Sequence, residues 1–388
     1  MFQDKYVFAQ LTSFLYRSKF NRIVSKYDGD KYVKHFTCWN QLLALMFGQL
    51  SNRESLRDLI VALEAHYSKC YHLGMGKNVS KSSLARANRD RNYRIFEEFA
   101  YYLVNEAREK RKRDIFKLNG NVYAFDSTTI DLCLSVFWWA KFRKTKGGIK
   151  VHTLYDIETE IPTLFHITDA SVHDSKVMKE IPYESGSYYI FDRAYNSFKE
   201  LYKIHQIRAF FVVRAKKNLK YKYTKWKRRL PKDVLSDATI ELTGFYPKQY
   251  YPEELRLVKY WDKNQEREFA FLTNATHISA LQVAELYKNR WQVELFFKWL
   301  KQHLKIKRFW GTTENAVRIQ IYSAICTYCL VALIQKEMQI ARSTYEILQI
   351  LSISLTDKTH LRDLFDKTKF QYDKERNGLN EPSLFDNY

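Results

Sequence analysis

Acidic residues are scarce relative to basic ones. The 388-residue chain has 43 Asp and Glu against 64 Lys and Arg, a formal net charge of +21. So basic a chain repels itself unless a polyanion balances it. Nucleic acid is the default partner, and an acidic membrane surface the weaker one. Cysteine is also thin: Cys38, Cys70, Cys133, Cys326 and Cys329 are odd in number and widely spread. That argues against a disulfide framework and for a reducing compartment. Cys326 and Cys329 form a lone CxxC in an apolar run with no second Cys or His pair nearby, so no zinc or redox site is read there. The stretch "GMGKNVSKSS" lacks P-loop spacing, so ATP use is not indicated. The opening "MFQDKYVFAQ" lacks the basic start and apolar stretch of a signal peptide. The most hydrophobic run, 319–334, is short for a membrane span and contains Gln320, which favours a buried helix. There is no internal repeat and no low-complexity tract.

What is present fits a folded protein of two or three domains, with 46% hydrophobic residues. Tyr, Phe and Trp number 28, 26 and 8, and rings interleaved with bases suit nucleic acid, although most rings belong in a core. Residues 1–115 show apolar spacing of three and four, as in "WNQLLALMFGQL", "SLRDLIVALEAHY" and "NYRIFEEFAYYLVNEAREK", which predicts helices. Ser51 and Ser82 are candidate N-caps. "NVSKSSLARANRDRN" is either a capped surface helix or a helix presented to DNA. "AREKRKRD" near 107–114 reads as a solvated helix end or boundary.

The pattern then changes. "NVYAFDSTT", "IKVHTLYD" and "PTLFHITDA" predict a three-strand meander, "SYYIFDRAY" a strand, "SFKELYKIH" a helix and "IRAFFVVRA" a strand: an α/β domain. From Arg214 to Lys232 there are ten bases and no acid, interleaved with Tyr221, Tyr223 and Trp226. This block reads either as an excursion lying on a polyanion, with Trp226 and Arg228 as candidate DNA contacts, or as a charged loop. "LRLVKYW" and "EFAFLT" predict a hairpin. One long helix over 278–305 and a helical part from Glu314 follow, ending in a frayed polar tail, "ERNGLNEPSLFDNY".

Two of the strands end alike, at Asp126 and at Asp192. A carboxylate at the end of a buried strand costs desolvation energy unless it is paired or binds a metal. A third acid, Glu294, lies in the long helix. At about 100° per residue, Tyr287, Arg290, Glu294, Lys298, Lys301 and Lys305 share a band roughly 80° wide. Val293, Leu295, Phe296, Phe297, Trp299, Leu300 and Leu304 fill much of the rest. A narrow charged stripe on an apolar helix predicts a cleft rather than a surface salt-bridge ladder. Phosphodiester chemistry needs an activated oxygen nucleophile and a stabilised leaving oxygen. Two Mg²⁺ ions held by carboxylates can supply both, with Arg and Lys holding phosphates beside them. Asp131, Asp156, His173 and Asp174 are structural or supporting groups, His152 is a candidate to face DNA, and Trp138, Trp139, Trp226 and Trp261 read as core or as base-stacking rings.

The spacing Tyr287-x2-Arg290-x3-Glu294-x6-Lys301 resembles the Tyr-Arg-Glu-Lys signature of bacterial insertion-sequence DDE transposases. "FDSTTI" and "FDRAYNSF" resemble the first two acidic motifs of that family, and "KGGIKVHTLYD" and "ASVHDSK" resemble the segments between them. Ala194 stands where many members have Gly. The resemblance covers about 120–310. It implies a ribonuclease-H-like catalytic domain over 116–312 with a mostly β insertion at about 215–275. A helical N-terminal domain over 1–115, expected to bind DNA, precedes it, and a helical part over 313–388 follows. It implies Asp126, Asp192 and Glu294 as the metal triad for two Mg²⁺, with Mn²⁺ able to substitute. Tyr287, Arg290, Lys298, Lys301 and Lys305 would contact DNA. The partners implied are the element's terminal inverted repeats, target DNA and a second copy in a synaptic homodimer. The expected location is the bacterial cytoplasm, on the nucleoid. The alternatives are a metal-dependent nuclease or recombinase of the same fold and a catalytically inactive DNA-binding descendant. A glycosidase using paired acids fits the basic charge poorly.

Overall fold

The computed structural model describes residues 4–366 apart from 77–78, 114, 144–145, 304–305 and 307. The tail expected to fray, and Lys305, lie outside the described residues. The helices are α1 (Val7–Thr12), α2 (Arg17–Lys26), α3 (Cys38–Leu50), α4 (Leu56–Ala65), α5 (Lys81–Asp90) and α6 (Arg94–Arg111). Strands β1 (Val122–Leu132), β2 (Lys141–Arg143), β3 (Lys146–Asp156), β4 (Ile161–Asp169) and β5 (Tyr188–Phe191) follow, then α7 (Phe198–Gln206) and β6 (Phe210–Arg214). Next come β7 (Tyr221–Trp226), β8 (Val234–Leu242), α8 (Phe245–Tyr250), β9 (Leu255–Asp262) and β10 (Arg267–Thr273). The chain continues with α9 (Ala280–Asn289), α10 (Trp291–His303), α11 (Glu314–Glu337), α12 (Thr344–Ser354) and α13 (Leu361–Phe365). It divides into two compact units, one of Met1–Glu106 with Leu300–Tyr388 and one of Ala107–Trp299.

The first unit is helical. Almost every residue of α3 is buried, and so is the run 319–334 of α11. Buried polar groups tie these two helices: Gln49 Nε2 donates to the Gln320 carbonyl at 3.2 Å and the Thr327 hydroxyl to Gln49 Oε1 at 2.9 Å. The first and last described segments meet in the same unit, where the Val7 and Phe8 amides donate to the carbonyls of Asp357 and Leu355. Helix α11 is long and apolar enough to cross a membrane, but it is almost wholly buried inside the unit. The caps fall elsewhere than on Ser51 and Ser82. Ser55 and Ser80 accept from the amides of Asp58 and Ser83, three residues on, as an N-cap requires, while Ser51 ends α3. Near the predicted solvated end, Arg111 is buried against Glu160 and the Thr159 carbonyl.

The second unit is a ten-stranded mixed sheet. The path runs β2-β3-β1-β5-β6-β10-β9-β8-β7, with β4 also on β3. β1, β3 and β4 form the antiparallel meander, while β1, β5 and β6 run parallel. Parallel strands need a crossover, and α7 supplies the one between β5 and β6. β5 and the start of β1 are continuously buried, as expected where helices cover both faces. β10 then joins β6 antiparallel and carries β9, β8 and β7 outward. Asp237 on β8 and Arg256 on β9 anchor this extension with a buried bidentate pair at 2.7 and 2.8 Å.

Two expectations need correction. β1 does not end at Asp126 but runs on to Leu132, because β3 keeps pairing with it after β5 has stopped. The helix over 278–305 is not continuous. It breaks at Arg290, where three-residue turns replace the helical hydrogen bonds: the Arg290 amide reaches the Tyr287 carbonyl and the Val293 amide reaches that of Arg290.

Candidate active site

The β1–β5 register places Phe125 opposite Phe191. The next residues, Asp126 and Asp192, therefore leave neighbouring parallel strands side by side, at a strand spacing of about 4.8 Å. Glu294 comes from the first turn of α10. The break at Arg290 turns its guanidinium toward both. Nη1 donates to Asp126 Oδ2 at 2.6 Å and Nη2 to Glu294 Oε1 at 2.5 Å, so one guanidinium spans the two carboxylates. The Tyr287 hydroxyl donates to Asp192 Oδ1 at 2.8 Å. Five of the predicted site residues thus meet in one constellation.

The electrostatics show an excess of negative charge. Asp126 is pushed up to about 6. Burial is the main cause, and Glu294 and Asp192 add to it, while Arg290 and the Ser127 amide pull the other way. Tyr287 is raised to about 12, first by burial and then by the Asp192 charge, so its phenol stays a donor. Arg290 is held above its ordinary value although burial lowers it, because Asp126, Tyr287 and Glu294 outweigh that cost. Its Nε is buried without a partner.

A second set of groups fixes the backbone next to Asp126. The Ser127 amide donates to Asp126 Oδ1 at 2.8 Å, and the Ser127 hydroxyl to Asp174 Oδ1 at 2.7 Å. Lys150 Nζ lies 3.1 Å from the same Asp174 oxygen and also donates to the Val172 carbonyl. His152 does not face DNA: it is fully buried opposite Ser127, and burial lowers it to about 4, so the ring is neutral. Asp174, read beforehand as structural or supporting, is the hub of this network.

Beside Asp192 opens a cleft of about 760 Å³. Its lining includes Tyr287, Arg290, Trp291, Arg214 and Lys288, with Lys263 and Arg267 from the β9–β10 hairpin. Arg214 is read in the sequence only as the first base of the block 214–232, and Lys288 and Trp291 are not singled out there. Arg214 carried a signal, since it ends an apolar strand as Asp126 and Asp192 were read to do. Lys288 and Trp291 lie outside the helical stripe and had none.

The stripe itself is wider than expected. Leu295 is exposed with Trp291, Glu294 and Lys298 on one face of α10, at the i, i+3, i+4 and i+7 spacing of a helix. Lys298 is one turn beyond Glu294, and Lys301, half-buried, lies further along. Trp226 and Arg228 are not with the carboxylates; they sit on and just after β7, at the far edge of the sheet. Trp138, Trp226 and Trp261 are exposed rather than core rings.

The residues present suit hard divalent cations. The donors are oxygens only: Asp126 and Glu294 share one guanidinium, and Asp192 accepts from Tyr287. Among the described residues, no three His, Cys, Asp or Glu side chains are already gathered as metal ligands.

Adjacent parallel strands that carry aspartates at neighbouring register positions, with a helix bringing a glutamate toward them, are the arrangement of a class of acidic-site enzymes acting on phosphodiesters. The particular family follows from sequence comparison. Residues 118–330 match the family described as "Transposase DDE domain", and the chain belongs to that family. Residues 3–76 match a "Domain of unknown function (DUF4372)". The chain is 34% identical over 288 residues to "Putative transposase y4zB" of Sinorhizobium fredii, covering 72% of this chain and 78% of that protein. It is 28% identical over 252 residues to "Probable transposase for insertion sequence element IS5377" of Geobacillus stearothermophilus, covering 64% and 66%. With "Putative transposase for insertion sequence element IS4SA" of Synechocystis the identity is 26% over 293 residues, covering 73% and 80%. The chain is an insertion-sequence transposase with a DDE domain, and this implies a nuclease and transferase activity.

Proposed function

We propose that the chain cuts DNA at the ends of its element and joins the exposed 3′-hydroxyls to target DNA, by cut-and-paste transposition on a ribonuclease-H-like core. The observation that carries this is the constellation of Asp126, Asp192 and Glu294, gathered from two adjacent strands and a helix through Arg290 and Tyr287. We assign the three acids as ligands of two Mg²⁺ ions, with Mn²⁺ able to replace them. When bound, such ions activate the attacking oxygen and neutralise the leaving one.

The chain's own residues do the rest. Tyr287 holds the Asp192 carboxylate in place and stays protonated. Arg290 has an unused Nε donor and a planar fork suited to a phosphate, so it can trade a carboxylate for the anionic strand. Arg214, Lys263, Arg267 and Lys288 line the cleft and neutralise the strand that enters it. Lys298 and Lys301 follow Glu294 along α10 and extend this surface, completing a Tyr-Arg-Glu-Lys signature. Trp226 and Arg228 contact DNA away from the cut. The helical segment 1–115 binds the terminal repeats, 116–312 carries the chemistry, 313–388 supports it, and two copies pair the element ends as a homodimer on the nucleoid in the cytoplasm.

The test is Mg²⁺-dependent cleavage of duplexes carrying the inverted repeats that flank the gene, followed by strand transfer. Glu294→Gln should bind those duplexes and leave them uncut. Cleavage without joining would mark a nuclease, and binding without cleavage by the unaltered chain an inactive descendant.

A further inference from the structure

The outermost strand offers a second DNA-holding surface. β7 ends the sheet, pairing with β8 on one side and leaving its other edge open. On β7 and the segment after it, Trp226 is 68% exposed and Tyr223 47%. Lys222 and Lys227 are spent on Glu241 and Asp237. Lys225, Arg228, Arg229 and Lys232 are exposed and, among the described residues, form no ion pair. No acid interrupts the ten bases of 214–232. Side-by-side pairing of two such edges would set like charges against each other, which disfavours a second copy as the occupant.

The surface continues the cleft. The Asp233 carbonyl accepts from the Trp261 amide at 2.8 Å, and the Asp233 carboxylate pairs with Lys263 at 3.0 Å. Lys263 lines the cleft beside Asp192. The segment ending at Lys232 therefore abuts the β9–β10 end of the cleft. The path from β5 to β7 crosses five strand spacings, β5-β6-β10-β9-β8-β7. At about 4.8 Å each that is about 24 Å, or about seven base pairs at 3.4 Å.

We infer that Arg228, Arg229 and Lys232, with Trp226, grip the backbone of the same duplex whose cut site lies at the carboxylates, about seven base pairs away. This rests on the transposase reading and adds a distance, a residue set and a register to it.

The experiment combines salt titration of end-duplex binding with hydroxyl-radical footprinting, comparing the full chain with R228A/R229A/K232A. Each lost phosphate contact lowers the slope of log K against log salt by about 0.9, so a fall of about two to three is expected. Protection about seven base pairs from the cut should vanish, while protection at the cut remains. These side chains are exposed, so the melting temperature should not move. An unchanged slope and footprint overturns the inference. So does a change that appears only when target duplex is added, which would assign the ribbon to the target. Failure of the transposase reading itself would show separately, as absence of Mg²⁺-dependent cleavage by the unaltered chain.

Discussion

Asp126→Asn should make the metal-free protein more stable at neutral and alkaline pH, although it removes one arm of an ion pair. The Asp126 carboxyl, ordinarily at 3.8, is pushed up to about 6 by burial and by Glu294 and Asp192, with Arg290 only partly offsetting them. At about 1.4 kcal/mol per pH unit, holding the ionised form in the folded state costs roughly 3 kcal/mol. The sign follows from linkage. A group whose folded value is raised favours folding below the unfolded value, and that advantage is lost as pH rises through the folded value. Asn mimics the protonated acid and does not titrate. The gap in favour of the variant should therefore be near zero below pH 3.8, reach about 1 kcal/mol near pH 4.5 and level off at roughly 3 kcal/mol above pH 7. For a unit of this size that plateau is about 6–12 °C in melting temperature. Thermal melts followed by near-ultraviolet circular dichroism, in EDTA at pH 4.5 and pH 8, measure it. A variant less stable than the parent at pH 8, or a gap that ignores pH, would show that Arg290 fully compensates the buried charge and would refute the electrostatic account.

Tyr287→Phe removes the hydrogen bond to Asp192 but keeps the ring among Phe269 and Phe271. A bond to a charged group is worth about 1.5–3 kcal/mol, so cleavage should slow by about 10- to 150-fold with duplex binding little changed. Single-turnover cleavage decides this, and an unaltered rate counts against the role. Arg290→Lys cannot span both Asp126 and Glu294. It should bind Mg²⁺ more tightly by calorimetry while strand transfer falls, whereas weaker binding would mean that Arg290 organises the acids rather than competing for them. Asp174→Asn weakens the hold on Ser127 and Lys150. Cleavage should drop while the salt dependence of DNA binding stays the same, which separates positioning from phosphate contact. Arg256→Ala leaves the buried Asp237 carboxylate with only the mostly exposed Lys227 and removes the donor to the Ala275 and Ile278 carbonyls, and loss of such a buried pair costs up to about 3–5 kcal/mol. Denaturant unfolding should show it, with near-normal stability as the outcome that contradicts it.

Much of the site was legible because strand chemistry is local. "VYAFD" and "YYIFD" are apolar runs followed by an acid, and an acid there needs a partner whatever the fold. What the pattern could not supply was register. Only the pairing of Phe125 with Phe191 makes Asp126 and Asp192 neighbours. The meander and the β9–β10 hairpin were readable from alternation and turn residues, but the antiparallel joining of β10 to β6 is a contact between segments over 50 residues apart and left no mark on either strand. The break at Arg290 was hidden for a different reason. Neither Gly nor Pro stands there, and apolar spacing continues across it. At the break the guanidinium reaches Asp126 across the fold, while its pair with Glu294 is the i,i+4 contact that any helix allows. Buried His152 was misread because a histidine after a lysine on a strand looks alike whether it faces solvent or a core.

The chain carries opposite charge on two scales, and each constrains the other. Overall it is strongly positive, a charge that attracts a polyanion from a distance. At Asp126, Asp192 and Glu294 it is locally negative, and burial, with the two neighbouring acids adding to it, lifts the Asp126 carboxyl although a guanidinium touches it. A phosphate brought to those acids alone would be repelled. On the proposed reading, the cations of the cleft hold the strand from the side, and those at the sheet edge hold the duplex further out. Arg290 belongs to both systems. It is paired with acids on its Nη atoms and has an unspent Nε. A single point charge could not do both. A planar fork at the break between two helices can.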